Sequence, residues 1–182
     1  MRIYTRKGDE GRTHVIGGRV DKDDSRVEAY GTIDECNACI GRVVASLDPE
    51  RDKDLITDLT LIQHELFDAG ADLAQERRVH PYRVDADMVS RLEGRIDHYS
   101  AQIPPIRQFI LPGGCEPSSL LHLSRAVARR AERRVVTLGK RGQINDDVRR
   151  YLNRLSDLLF VMARVANARA GVADVEYRSD RT

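Results

Sequence analysis

The chain of 182 residues has no Trp and only 5% aromatic residues, 6 Tyr and 3 Phe. Sheets are built largely from aromatic and β-branched side chains, so this shortage argues against a sandwich or a barrel. No stretch approaches the roughly 18 apolar residues that a membrane helix requires. An excess of one charge is missing as well, since 30 Lys and Arg against 29 Asp and Glu leave a formal net charge of +1. That excludes a global basic field for holding a nucleic-acid backbone. The 3 cysteines are an odd number and do not suggest a disulfide framework. Met1 to Gly11 is polar and lacks the apolar core of a signal peptide, which leaves the cytoplasm as the expected compartment.

What remains is 41% hydrophobic and 32% charged, rich in Leu, Ala, Arg and Glu, a mixture that favours helices. The length fits one domain with a real core. The first 25 residues, with Gly8, Gly11, Gly17 and Gly18 among many charges, read as a loop. From about Val27 a helical period takes over, with Ile33, Cys36, Ile40, Val44 and Leu47 recurring at three and four until Asp48-Pro49. A second run uses Leu55, Leu59, Ile62, Leu66, Ala69 and Leu73 and fades toward His80-Pro81. A shorter third run carries Met88, Leu92 and Ile96 and ends near Ile103-Pro104-Pro105. The fourth lies between Pro117 and Leu138, with Leu121, Ser124, Ala128, Ala131, Val135 and Leu138 on one face. The fifth uses Val148, Leu152, Leu155, Leu159, Met162 and Ala166, closed by Gly171 as its C-cap. Five amphipathic runs joined by short breaks predict an all-α five-helix bundle of up-down, ferritin-like architecture over residues 26–171. Residues 172–182 form a polar tail, expected to be mobile unless it covers a ligand.

Four clusters offer chemistry. Thr5-Arg6-Lys7-Gly8-Asp9-Glu10-Gly11-Arg12-Thr13 combines turn-forming glycines with phosphate-binding side chains, and Asp9 could help hold magnesium. It is not a Walker A loop, and a solvated charged loop is the plain alternative. In the fourth run His122, Arg125, Arg129, Glu132 and Arg133 fall three and four apart, with Arg130 and Arg134 beside them. Three arginines on one stripe repel unless anions neutralise them, which points either to a salt-bridged outer face or to a triphosphate site. In the fifth run Asn153 and Asp157 flank the apolar stripe, as nucleotide ligands or as an interhelical hydrogen bond. Phe109-Ile110-Leu111-Pro112-Gly113-Gly114 is either a packed linker or an apolar wall for a large ligand. Cys36-x-x-Cys39 lies inside a helical run with Cys115 far off, so small buried helix residues explain it better than zinc. His64-Glu65 begins H-E-x-x-H but position 68 is Asp, so the zincin motif fails. No Glu-x-x-His occurs, which ranks a ferritin-type metal site low.

Five segments in one order resemble the PduO-type ATP:cob(I)alamin adenosyltransferases, a corrinoid adenosyltransferase family. They are I-Y-T-R-K-G-D-E-G at 3–11, K-D-D-S-R-V-E-A-Y-G-T-I-D-E at 22–35, F-I-L-P-G-G at 109–114, R-A-V-A-R-R-A-E-R-R-V-V at 125–136 and Y-L-N-R-L-S-D-L-L-F-V-M-A-R at 151–164. The resemblance implies a homotrimer with active sites at subunit interfaces, acting on ATP, Mg2+ and cob(II)/cob(I)alamin. It implies that Thr5, Arg6, Lys7, Gly8, Thr13, His14 and Lys22 contact the ATP. Arg129, Arg130, Ala131, Glu132 and Arg133 would hold phosphates and order the ATP and magnesium, and Asn153 would hold the nucleotide. No residue is expected as a firm direct metal ligand. Arg125 would pair with Asp34 of a neighbouring subunit, and Phe109 matches the aromatic residue beneath the corrin ring. Lys7, His14 and Cys115 depart from the residues common in the family, which touches only the ATP contacts at positions 7 and 14. An electron-donating reductase and a B12-dependent acceptor enzyme are the implied partners, with no role for nucleic acid or membrane. The competing functions are a nucleotide or corrinoid carrier, or sensor, using the same arginines without turnover, and an RNA-binding bundle with steep salt dependence.

Overall fold

The computed structural model describes residues 2–179. Each apolar run of the sequence forms a helix: α1 Ser25–Val44, α2 Lys53–Leu73, α3 Ala86–Ser100, α4 Glu116–Gly139 and α5 Asp146–Arg169. Polar side chains start three of them. The carboxylates of Asp24 and Asp85 accept from the amides of Arg26 (2.7 Å) and Met88 (3.0 Å), and the Asn145 side chain accepts from Asp147 (3.1 Å). Pro117 opens α4, where its missing N–H costs nothing. Helix α5 ends with Gly171 at φ +68, whose amide reaches Ala168 O (3.1 Å) while Val172 N reaches Asn167 O (2.9 Å). That pair of reverse bonds is a Schellman close, and its left-handed residue requires glycine.

The all-α expectation needs correction at residues 1–25. An antiparallel ribbon forms there, β1 Arg12–Val15 and β2 Gly18–Asp21, turning through Gly17 at φ +99. The ribbon is pinned to the end of α2, because Ile16 N donates to Ala74 O and Glu76 N to Ile16 O, both at 2.9 Å. With so few apolar residues the period-2 signal of such short strands is lost among the charges. The tail differs too. Residues 172–177 are tied by backbone hydrogen bonds to residues 109–111, and residues 180–182 lie outside the described part.

Helix α4 lies between α1 and α5, α1 also packs on α2, and α3 packs on α5. The ion pairs Arg134–Glu28 (3.0 Å) and Arg42–Glu116 (3.0 Å) join opposite ends of α1 and α4, so these neighbours run antiparallel. Ile33, Ile40, Leu59, Leu66, Leu121, Leu152, Leu155 and Leu159 are fully enclosed at the centre. Each such side chain contributes about 1.5–3 kcal/mol. Cys36 is fully buried, and burial pushes its thiol up to about 12, so it behaves as a small apolar residue; Cys39 is half-buried. Helix α3 is tied across to α2 by buried carboxylates, since Glu65 meets Arg91 and the Tyr151 hydroxyl (2.7 Å), and Asp58 meets Arg95 (3.1 Å) and the Tyr99 hydroxyl (2.7 Å).

Two buried polar side chains stand out. Asn145 caps α5 and donates to Asp72 and to Val84 O, both at 2.8 Å. His122, only 3% exposed, has no partner on either ring nitrogen and stacks edge-on against Phe160 with centroids 5.9 Å apart. Burial, then the Arg125 guanidinium, hold its pKa below the ordinary 6.5, and only Asp174 opposes them.

Asn145→Ala is expected to destabilise the fold by about 2–4 kcal/mol in urea, from a lost cap and a buried acceptor left unsatisfied. The depressed pKa of His122 means that the unfolded chain binds the extra proton first. Stability is therefore unaffected by this group above pH 6.5 and falls as the pH drops from 6.5 toward the folded-state value. Denaturation of His122→Leu across pH 5 to 8 should show its stability relative to wild type rising as the pH falls; a constant difference would contradict a buried neutral imidazole.

Candidate functional site

Helix α4 sorts its arginines onto two flanks. The seam between them is the row Leu121, Ser124, Ala128, Ala131, Val135 and Leu138, all buried. On the α1 flank Arg130 pairs with Glu35 and Arg134 Nε with Glu28 (3.0 Å), and Lys22 reaches the same groove beside Val27, Gly31 and Thr32. These are surface pairs, each contributing little to stability. On the other flank Arg125, Arg129 and Arg133 make no ion pair with any described residue. Arg125 is half-buried, and its Nε is enclosed without a hydrogen-bond partner. Desolvation and then the neighbouring Arg129 lower its pKa. Three guanidinium groups without an ion pair to a described carboxylate make a flank that favours an anion.

Glu132 stands on the same flank and takes its hydrogen bond from α5, where Asn153 Nδ2 donates to Glu132 Oε1 at 3.1 Å. Asn153 Oδ1 accepts in turn from Arg154 (2.8 Å), whose charge is met by Glu93 (2.6 Å). Of the two readings of Asn153, the interhelical hydrogen bond exists in the single chain, made to Glu132 of α4. Asp157 lies 3.8 Å from Arg154. Ala131 is buried in the seam, so its side chain belongs to packing.

The N-terminal segment gathers Thr5, Arg6, Lys7, Gly8, Thr13 and Lys22 at the ribbon end of the bundle. Lys7 N donates to Thr5 Oγ1 (3.4 Å), Arg19 donates to Lys7 O, and Gly11 N donates to Gly8 O (3.2 Å). A side chain at Gly8 would crowd the Lys22 ammonium at 3.3 Å, so glycine lets that lysine lie across the loop. Arg6 holds φ 61, the left-handed region that a non-glycine residue seldom adopts. Along β1, Thr13 is half-buried while His14 faces solvent opposite Arg19. Asp9 is exposed, and among the described residues no three His, Cys, Asp or Glu converge as a metal site.

Asp34 is exposed in a groove between α1 and α2 of about 380 Å³, lined by Tyr30, Asn37, Leu66, Phe67 and Ala71. Arg125 projects instead from the α4 flank beside α5, so within one chain Asp34 and Arg125 do not pair. Phe109 lies at the end of the bundle where α4 begins and α5 ends, away from the ribbon, and is 83% exposed. The sequence-derived residues therefore do not form one cluster in one chain: Asp34 lies in the α1–α2 groove, Lys22 and Arg130 share the α1–α4 groove, and Glu132 and Asn153 meet on the α4–α5 flank. Sequence reasoning missed what holds the glycine turn that follows Phe109. Asn167, 2% exposed, receives Cys115 N on Oδ1 (3.0 Å) and donates to Gly113 O (3.2 Å). The signal was present in Gly114, at φ +107, whose missing Cβ leaves room for the Asn167 amide.

The family model described as cobalamin adenosyltransferase matches residues 3–166. The corrinoid adenosyltransferase of Bacillus subtilis (strain 168) is 53% identical over 178 residues, 97% of this chain and 92% of that protein. Two solved structures of the PduO-type ATP:corrinoid adenosyltransferase from Lactobacillus reuteri superpose closely. A Phe-to-His variant complexed with cobalamin and ATP has a TM-score of 0.94 at 40% identity, covering 98% of this chain and 97% of that one. An Arg-to-Lys variant complexed with ATP has a TM-score of 0.92 at 41% identity, covering 97% of this chain and 100% of that one. With its helices, ribbon and arginine flank in this arrangement, the chain belongs to the cobalamin adenosyltransferase family.

Proposed function

We propose that this protein transfers the 5′-deoxyadenosyl group of ATP to the cobalt of cob(I)alamin, giving adenosylcobalamin and free triphosphate. The observation that carries this reading is the α4 flank, where Arg125, Arg129 and Arg133 lack carboxylate partners among the described residues beside the Glu132–Asn153 hydrogen bond of 3.1 Å. In the reaction the cobalt electron pair forms a bond to ribose C5′, the C5′–O bond breaks, and its electron pair leaves on the triphosphate. Cob(I)alamin is itself a strong nucleophile, so no protein base is needed. The protein must place C5′ over the cobalt and stabilise charge gathering on the leaving group.

Arg129 and Arg133, exposed and bidentate, suit the phosphate oxygens, with Arg130 released from Glu35 as a further donor. Asn153, already oriented by Glu132 and Arg154, suits the nucleoside. Thr5, Arg6, Lys7, Gly8, Thr13, His14 and Lys22 would close over the ATP from a neighbouring copy. Magnesium would come with the triphosphate, and Glu132 would help order both. The unpaired Arg125, with Asp34 exposed in another groove of the same chain, supports a site completed by a second copy, with Asp34 of one meeting Arg125 of the next, and a homotrimer closes such a head-to-tail contact. Phe109 fills the space beneath the corrin where a lower axial ligand or water would sit, which eases reduction of cob(II)alamin by a reductase. No helix is long and apolar enough to cross a membrane, and the cytoplasm is the proposed compartment, with hand-over of product to a B12-dependent enzyme.

Purified protein mixed anaerobically with ATP, magnesium and chemically reduced cob(I)alamin should convert the absorbance spectrum to that of adenosylcobalamin. Tight binding of both substrates without conversion would make it a carrier. Arg129→Ala should weaken ATP binding by about 1.5–3 kcal/mol in calorimetry, the scale of one charge-assisted hydrogen bond, with Lys a poor substitute. Phe109→Ala should greatly slow turnover from cob(II)alamin while ATP affinity stays close to wild type; unchanged turnover would remove Phe109 from the mechanism.

A further inference from the structure

Phe109 presents a difficulty that packing does not answer. An aromatic ring that is 83% exposed is not held by burial, so its direction depends on its backbone. That backbone is held by the C-terminal segment. Tyr177 N donates to Phe109 O at 2.7 Å and Leu111 N to Val175 O at 2.8 Å, with Ile110 opposite Glu176 in an antiparallel bridge. In this register residues 109, 111, 175 and 177 share one face. Phe109, Leu111, Val175 and Tyr177 are all exposed there.

The segment is itself clamped. Beyond the Schellman close at Gly171, Asp174 meets Arg164 Nε at 2.8 Å and receives Asn167 Nδ2 at 3.1 Å. Asn167 also bonds Gly113 O (3.2 Å) and Cys115 N (3.0 Å), and Arg164 donates to Pro104 O at 2.8 Å. The last turns of α5, both ends of the 104–115 segment and the tail thus meet in one polar knot. Arg164 and Asp174 are largely shielded in it, which strengthens their ion pair relative to those on the open surface.

We infer that Asn167 and Asp174 are positioning residues for the corrin side of the reaction: they clamp the C-terminal strap, and the Tyr177 amide of that strap holds the Phe109 backbone in place. The inference rests on the role of Phe109 proposed above. It converts residues 172–177 from a tail into part of the site, and it assigns the Arg164–Asp174 pair a function separate from folding.

The test compares two substitutions at one position in the full chain. Tyr177→Pro deletes the N–H that Phe109 O accepts, whereas Tyr177→Ala removes the side chain and keeps it. Each is loaded with ATP and cob(II)alamin, and the spectrum is read for cob(II)alamin lacking its lower axial ligand. Tyr177→Pro should form about ten- to a hundredfold less of that species than Tyr177→Ala, the scale of loss when a reacting group is misplaced by about 1 Å. ATP affinity should match between the two, and turnover from pre-reduced cob(I)alamin should differ less than turnover from cob(II)alamin. Asp174→Ala should reproduce the Pro defect, and Asp174→Asn, which keeps an acceptor for Asn167, should restore part of it. Equal behaviour of Pro and Ala, with Phe109→Ala still impaired, would overturn the clamp alone. An unimpaired Phe109→Ala would overturn the Phe109 reading and the clamp with it.

Discussion

The burial of α4 between α1 and α5 is the constraint on which the rest of the structure depends. Its seam uses Ser124, Ala128 and Ala131, small residues that let the α1 and α5 backbones approach closely. A helix gripped on two sides has only narrow flanks left for charge. Arg130 and Arg134 fall on the flank where α1 supplies Glu35 and Glu28. Arg125, Arg129 and Arg133 fall on the flank where α5 supplies the Asn153 amide to Glu132 and no further carboxylate for them. The anion-seeking surface is thus a consequence of core packing: the same seam that stabilises the bundle decides which guanidinium groups stay unneutralised.

The two ends of the bundle are specialised by different means. At one end the ribbon is held by backbone hydrogen bonds to the close of α2, while Arg12 and Arg19 bond within the N-terminal segment itself. At the other end Phe109 is exposed by a segment that polar groups, and not apolar packing, hold in place. Buried polar networks specify geometry more sharply than apolar contacts do, because an unmade hydrogen bond in a dry interior costs about 1–3 kcal/mol. That suits the proposed site, with a large flat ligand at one end of the arginine row and a polyanion along it. In the α1–α2 groove Asp34 is exposed beside Phe67 (68%), a single carboxylate on an apolar surface, in keeping with the proposed pairing of Asp34 with Arg125 of a second copy.

Much of the fold was legible because helices announce themselves through a 3.6-residue period. The runs ending at Asp48-Pro49 and Gly171, and the one opening at Pro117, became α1, α5 and α4 with shifts of a few residues. The Arg125–Arg133 stripe was legible for the same reason, since spacing alone puts those residues on one face. The ribbon was not, because strands of 4 residues with Gly17 and Gly18 at their turn have too little alternation to detect. Nor was the tail, whose Val175 and Tyr177 are short of apolar neighbours in sequence and pair with residues 109–111 only through the chain's return.

The sequence by itself determined the helices, their apolar seams, the absence of membrane-length apolar runs and the family pattern, since each depends on residues near one another along the chain. Only the tertiary structure decided which arginines were neutralised, that Asn153 bonds Glu132, that Asp34 and Arg125 do not pair within one chain, and that Asn167 ties α5 to Gly113, Cys115 and Asp174. Those outcomes depend on pairs such as Arg130–Glu35 and Asn167–Cys115, far apart in sequence, whose meeting is set by how whole helices pack and not by any local preference.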